Sequence, residues 1–139
     1  MRTGLALSSA IFCCCLAACT QTETPPIEVT DAWVREPVPP LDKTAGYFQI
    51  HNNTQSPIVL QKASSPDARS IEFHETIRDG DMTRMRRISS LTIDPGEQAA
   101  FEPGGKHLMI FGFTEDESPV MITLLFESGT ILDVPFELR

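Results

Sequence analysis

The chain has 139 residues, enough for one domain, and its 41% hydrophobic against 22% charged residues suits a packed core rather than a disordered polymer. Asp and Glu number 19 against 11 Lys and Arg, and a net charge of −8 argues against a nucleic-acid partner. All four Cys fall at positions 13, 14, 15 and 19, so whatever folds beyond them has neither a disulfide nor a thiolate ligand.

The first 18 residues read as a signal segment. Arg2 is the positive start, and Leu5 to Ala18 is an apolar run too short to span a bilayer. It closes on Leu16-Ala17-Ala18-Cys19, which resembles a bacterial lipobox, the sequence in which the Cys is lipidated and becomes the new N-terminus. Cys19 is therefore the expected lipidation site, and Cys13, Cys14 and Cys15 leave with the signal. Loss of Arg2 takes Lys and Arg from 11 to 10 against 19 acids, moving the charge from −8 to −9. The protein is expected to be exported and lipid-anchored, facing the periplasm. Thr20 lacks the Asp that marks inner-membrane retention, which favours the outer membrane. Residues 19–26, ending TQTETPP, form a tether, and 27–139 form the domain.

From Ile27 on, short runs rich in Val, Ile, Phe and Thr alternate with turn signals. In chain order they are IEVTDAWV, GYFQIHN, PIVLQKA, SIEFHET, MTRMRRI, QAAFE, HLMIFGF, PVMITLLF and ILDVPFEL. Between them stand breakers such as NNTQSP, SSPD, RDGD, DPGE, PGGK and ESGT. This spacing predicts an all-β sandwich or small barrel. The longest irregular stretch falls at 35–44, REPVPPLDKT.

One hairpin can be drawn in detail. With Asp79-Gly80 as a two-residue loop, Phe73 opposes Arg86, Ile71 opposes Ile88 and Ile77 opposes Met82 on a core-facing side. The other face pairs Thr76 with Thr83, Glu72 with Arg87, and His74 with Met85. A loop at Gly80-Asp81 would change that register. Farther on, His107 and Met109 share one face of the HLMIFGF strand because side chains alternate. Two imidazole–thioether pairs result: His74 with Met85, and His107 with Met109.

The donor types select the metal. Thioethers suit Cu(I) and are poor ligands for Zn(II), Mg(II) or Ca(II), and the thiolate of a blue-copper site is missing. The set has no thiol to lose to oxidation, although Met can be sulfoxidised. Each residue taken singly also has a plain structural reading. Leu108, Ile110, Phe73 and Ile77 read as packing, Met82 and Met121 as core, and His51 as a strand-end hydrogen-bonder. His74-Glu75-Thr76-Ile77-Arg78 begins like a metalloprotease HExxH but ends in Arg and lies on a strand. No catalytic motif is present, and the protein is read as a non-enzyme.

The spacing from His74 through Met85 and His107 to Met109 is H-x10-M-x21-H-x-M, which resembles the signature of the PCuAC family of copper(I) chaperones. DAWVREP, GYFQIHN, SIEFHE, MTRMRRI and PGGKHLMIFG resemble that family as well, over about residues 29–138. Many members carry Met after the first His, where this chain has Glu75. The resemblance implies a cupredoxin-like Greek-key fold and copper as cargo. Cu(I) is the expected ion, with Cu(II) left open. It further implies delivery to a copper-accepting protein, either the copper site of cytochrome c oxidase or its assembly factor. The rival reading is a metal-free, lipid-anchored interaction module.

Overall fold

The computed structural model describes residues 24–114 and 118–139. The signal segment, Cys19 and the first part of the tether lie outside the described residues. Among those described there are ten strands and no helix. The strands are β1 (Ile27–Val34), β2 (Lys43–Asn52), β3 (Ile58–Ser64), β4 (Ser70–Asp79) and β5 (Met82–Ile88). They continue with β6 (Leu91–Ile93), β7 (Gln98–Phe101), β8 (Lys106–Phe111), β9 (Val120–Phe126) and β10 (Ile131–Leu138). Nine of these coincide with the runs read from the sequence. The tenth, β6, is only three residues long and follows β5 too closely for a break to separate it by pattern.

The strands join in the order β5-β4-β8-β7-β2-β1-β10-β9-β3-β6, with β8 also pairing β2, and the sheet curls into a nearly closed barrel. Most neighbours are antiparallel. β1 runs parallel to β10, so the chain's first and last strands lie side by side. The expected all-β single domain is thus found.

Alternation along β2 and β8 divides inside from outside. Thr44, Phe48, Ile50 and Asn52 face the core, and so do Leu108 and Ile110. Phe48 stacks on Phe101 at 4.3 Å between centroids, Phe73 meets Phe101 edge-on at 6.0 Å, and Phe136 meets Phe48 at 5.7 Å. These rings tie β2, β4, β7 and β10 together, each pair adding about 0.5–1.5 kcal/mol beyond its buried area. On the outer face, Trp33 packs on Tyr47 at 4.5 Å, with Arg139 over the first ring and Arg35 over the second. Tyr47 is therefore buried although it points away from the core.

The hairpin departs from the drawn register. Asp79 opposes Met82, Arg78 opposes Thr83, Thr76 opposes Met85 and His74 opposes Arg87, so the loop is Gly80-Asp81. Gly80 has φ +61°, and it takes the first loop position, where a type II′ turn places its glycine. The direct His74–Met85 opposition does not exist. The slip is two residues, however, and strand side chains repeat every two. Met85 stays on the face of His74, as its diagonal neighbour.

Two residues read as core are not. Met82 lies at the hairpin tip, beyond the barrel, and is exposed. Met121 sits on the solvent side of β9 between the buried Val120 and Ile122. Ile77 is only half-buried and falls outside the core cluster. His51 does hydrogen-bond at the end of β2, through Nε2 to the Gly96 carbonyl at 3.1 Å.

Candidate metal centre

β4 and β8 are antiparallel neighbours, and their register sets His74 directly opposite His107 and Glu72 opposite Met109. All four candidate ligands lie on the outer face of this sheet. Met109 follows His107 by two residues on β8. Met85 opposes Thr76, which follows His74 by two on β4. The structure therefore brings His74, His107 and Met109 onto adjacent strands, with Met85 on the next strand out. The HExxH-like start of His74-Glu75 runs along β4, and Glu75 points to the opposite face, where it pairs with Arg86 and Lys106.

The two imidazoles sit with their tautomers set by neighbours. His74 Nε2 lies 2.9 Å from Glu72 Oε2. His107 Nδ1 lies 3.2 Å from the Gly105 carbonyl, which also accepts the Thr76 N–H at 3.1 Å. A carbonyl and a carboxylate can only accept, so these ring nitrogens carry the protons. Each ring then turns a bare lone pair the other way, on His74 Nδ1 and His107 Nε2. Both of these atoms are buried and have no hydrogen-bond partner. An unsatisfied buried acceptor costs about 1–3 kcal/mol, and here two occur on opposed residues.

Their ring centroids are 5.9 Å apart. Two imidazole nitrogens sharing an ion through bonds of about 2.0–2.1 Å, with a ring radius added on each side, give a centroid separation of about 6 Å. The spacing of the two rings is therefore the spacing that two imidazoles on one ion would have. A histidine ligand whose other nitrogen donates to a carboxylate or backbone carbonyl is the usual arrangement at metal sites.

Glu72 is held in place from two sides. Its Oε2 accepts from His74, and its Oε1 lies 3.2 Å from Arg87 Nη1. The hydrogen bond from His74 lowers the Glu72 carboxyl below its ordinary range; partial desolvation opposes this, and the charges of Arg87 and His74 add to it. An ionised Glu72 is a constant acceptor for the His74 ring. Glu72 and the Gly105 carbonyl were not singled out in the sequence. For Glu72 the signal was Glu72-x-His74, which places the orienting carboxylate two residues before the imidazole.

Exposure is graded across the set. His107 is 4% exposed, Met109 is intermediate, and Met85 is 62% exposed on β5, the end strand of the sheet. Met85, His107 and Met109 line a groove of about 530 Å³, with Tyr47, Val38 and Leu41 among its walls. The irregular segment 35–42 forms one wall. It is pinned at both ends, by Arg35 N–H to the Ala45 carbonyl at 2.9 Å and by Gly112 N–H to the Asp42 carbonyl at 2.6 Å. Among the described residues no cluster of three or more His, Cys, Asp or Glu could hold a metal. The candidate set of two imidazoles and two thioethers is of a different, softer kind.

The architecture has known counterparts. The copper-bound PCuAC domain from PmoF2 superposes with a TM-score of 0.70 at 20% identity, covering 84% of this chain and 95% of that one. The solution structure of Cu(I)-bound DR1885 from Deinococcus radiodurans superposes with a TM-score of 0.67 at 27% identity, covering 86% and 81%. The fold is PCuAC-like. Over residues 27–138 the sequence matches the family described as "Putative lipoprotein LpqE-like", and the chain belongs to that family. A relative named "Putative lipoprotein Lxx21020", from Leifsonia xyli subsp. xyli (strain CTCB07), is 28% identical over 108 residues, 75% of this chain. The match spans 64% of that protein's length.

Proposed function

We propose that this protein is an exported, lipid-anchored carrier of Cu(I), with His74 Nδ1, His107 Nε2 and the thioethers of Met85 and Met109 as the four ligands. The observation that carries the reading is the pair of buried lone pairs without partners, on two histidines oriented by Glu72 and by the Gly105 carbonyl. A soft monovalent ion satisfies both nitrogens and uses the sulfurs, which a harder ion would bind poorly. The H-x10-M-x21-H-x-M spacing and the likeness to the Cu(I)-bound DR1885 support the same ion.

Cys19 is the proposed lipid attachment point, and the family of lipoproteins to which the chain belongs supports an anchor. We further propose that the carried copper goes to an acceptor in cytochrome c oxidase assembly, the role the family resemblance implies. Copper is cargo in this reading. The chain's own residues hold it, orient the imidazoles and leave one side of the site open to a groove.

A competition titration with a Cu(I) chelator of known affinity tests the site. One Cu(I) per chain is expected, without an intense blue absorption after oxidation, because no thiolate is available. His74→Ala with His107→Ala should abolish it. An intense blue band would point to electron transfer, and no copper uptake would point to the metal-free interaction module.

A further inference from the structure

Charge on this acidic chain is unevenly placed. Of the ten Lys and Arg beyond Arg2, four stand on the face of the candidate site: Arg78, two residues beyond Thr76 on β4, Arg87, opposite His74 on β5, and Arg35 and Lys43, which line the groove with Glu36. Arg87 touches a carboxylate, but the pair is layered: Arg87 is 68% exposed, whereas its partner Glu72 is 27% exposed. The guanidinium forms the outer surface and has more N–H donors than its one contact uses. A second carboxylate could be taken up by the free donors.

The same face is apolar where it opens. Val38, Leu41 and Met85 are three of the six exposed large hydrophobic side chains among the described residues, and all three line the groove. A groove with apolar walls and a cationic border is built for a polypeptide, since a free ion needs neither. It is also the route to the copper, because three of the four ligands line it. β5 ends the sheet order, so its outer backbone edge is free among the described residues to meet another chain. A strand laid there would bring its side chains to within about 4.5–5.5 Å of those on β5, Met85 included.

Building on the Cu(I) reading, we propose that the groove and the arginine-bearing strand β5 form the docking surface for the copper acceptor, an acidic polypeptide segment with a soft ligand of its own that enters beside Met85. Met85 is the ligand such a segment meets first. His107 is reached last. A lipid surface seated on the same arginines would close the groove over the copper, and a second copy of this chain would bring arginine against arginine.

The test uses the full mature chain, loaded with Cu(I) and held in a neutral detergent. Two synthetic peptides carry one identical Cys and Met ligand set, flanked in one by glutamates and in the other by lysines. The glutamate peptide should withdraw Cu(I) about tenfold or more faster at low ionic strength. The advantage should vanish in high salt. Lys43→Glu with Arg78→Glu should reverse the preference, and the neutral pair Lys43→Gln with Arg78→Gln should remove it. Trp33 fluorescence reports that the variants remain folded, and Val38→Ala with Leu41→Ala should slow both peptides.

Equal rates for the two peptides overturn the docking proposal. So does copper-loaded protein that binds anionic phosphatidylglycerol vesicles through these arginines and stops releasing copper, or that forms a dimer abolished by the same substitutions. A chain that takes up no Cu(I) overturns the functional reading itself, and the docking proposal with it. Copper bound with no charge preference overturns the docking proposal alone.

Discussion

His74 and His107 face each other across adjacent strands, paired in register on β4 and β8 with ring centroids 5.9 Å apart. Each gives one nitrogen to a fixed acceptor and leaves the other buried and bare. The orienting groups therefore matter as much as the ligands. Glu72→Gln removes the charge that keeps the acceptor constant and lets the amide turn its N–H toward the imidazole. Cu(I) affinity should fall about 10–100-fold, the usual cost of losing such an orienting partner. Glu72→Ala should fall at least as far. Chelator competition measures both, and wild-type affinity in both variants would remove Glu72 from the site.

Glu72 also makes a prediction about acid stability. Its folded-state carboxyl is lowered from an ordinary value of 4.5, chiefly by the His74 hydrogen bond. A lowered folded value means that the unfolded chain takes up the proton first. The resulting stabilisation is fully present above the ordinary value and is lost as pH falls through the lowered one. Below 4.5 the metal-free wild type should lose stability more steeply than Glu72→Gln. Urea midpoints across that range decide it, and parallel curves would contradict the assignment.

Packing and metal binding are separable on one strand. Leu108 lies between His107 and Met109 but points the other way, into the core, with no exposed surface. Leu108→Ala should destabilise the fold by about 2–5 kcal/mol. At a temperature where the variant stays folded, its Cu(I) affinity should change little. A large loss of affinity in the folded variant would mean that the site depends on core packing more than on its own orienting hydrogen bonds.

Much of this was legible before any coordinates. Nine of ten strands follow from apolar runs and turn signals, and the four soft donors stand at a spacing that alternation places on shared faces. The hairpin register was not legible. A lone glycine such as Gly80 serves either loop position, and only its positive φ fixed which. The error was harmless to the face because it was an even number of residues. Met82 and Met121 show a second limit: an apolar residue marks a strand, but whether the strand projects beyond the core depends on what packs over it. Glu72 beside His74 was readable as a same-face neighbour two residues away, whereas the Gly105 carbonyl was not, because it belongs to the backbone just before β8. The groove was not, since its wall comes from the irregular segment 35–42, whose path is set by contacts with β2, Arg139 and Gly112.

The anchor has its own test. Cys19→Ser removes the proposed lipid attachment and should release the protein from membranes or block its processing. Thermal unfolding of the released protein should match the wild type, because the substituted position lies well before β1, which starts at Ile27. Unchanged membrane retention and processing would rule out lipidation at this residue.

The sulfurs should divide the two copper ions. Thioethers are soft and neutral, so they hold Cu(I) better than Cu(II), whereas imidazole serves both. Met109→Ala and Met85→Ala should therefore each weaken Cu(I) more than Cu(II), and His107→Ala should weaken both. The two Met variants should also differ from each other. Met109 sits on β8 between strands paired on both sides, opposite Glu72, while Met85 stands on the end strand and is 62% exposed. An exposed ligand can leave and return without moving the sheet, so Met85→Ala should raise the Cu(I) release rate more than Met109→Ala does for the same loss of affinity. Titration with each ion gives the affinities, and stopped-flow transfer to a chelator gives the rates. If Cu(I) affinity is unchanged with both Met replaced, the sulfurs are not ligands, and the side chains of Met85 and Met109 are only part of the groove wall.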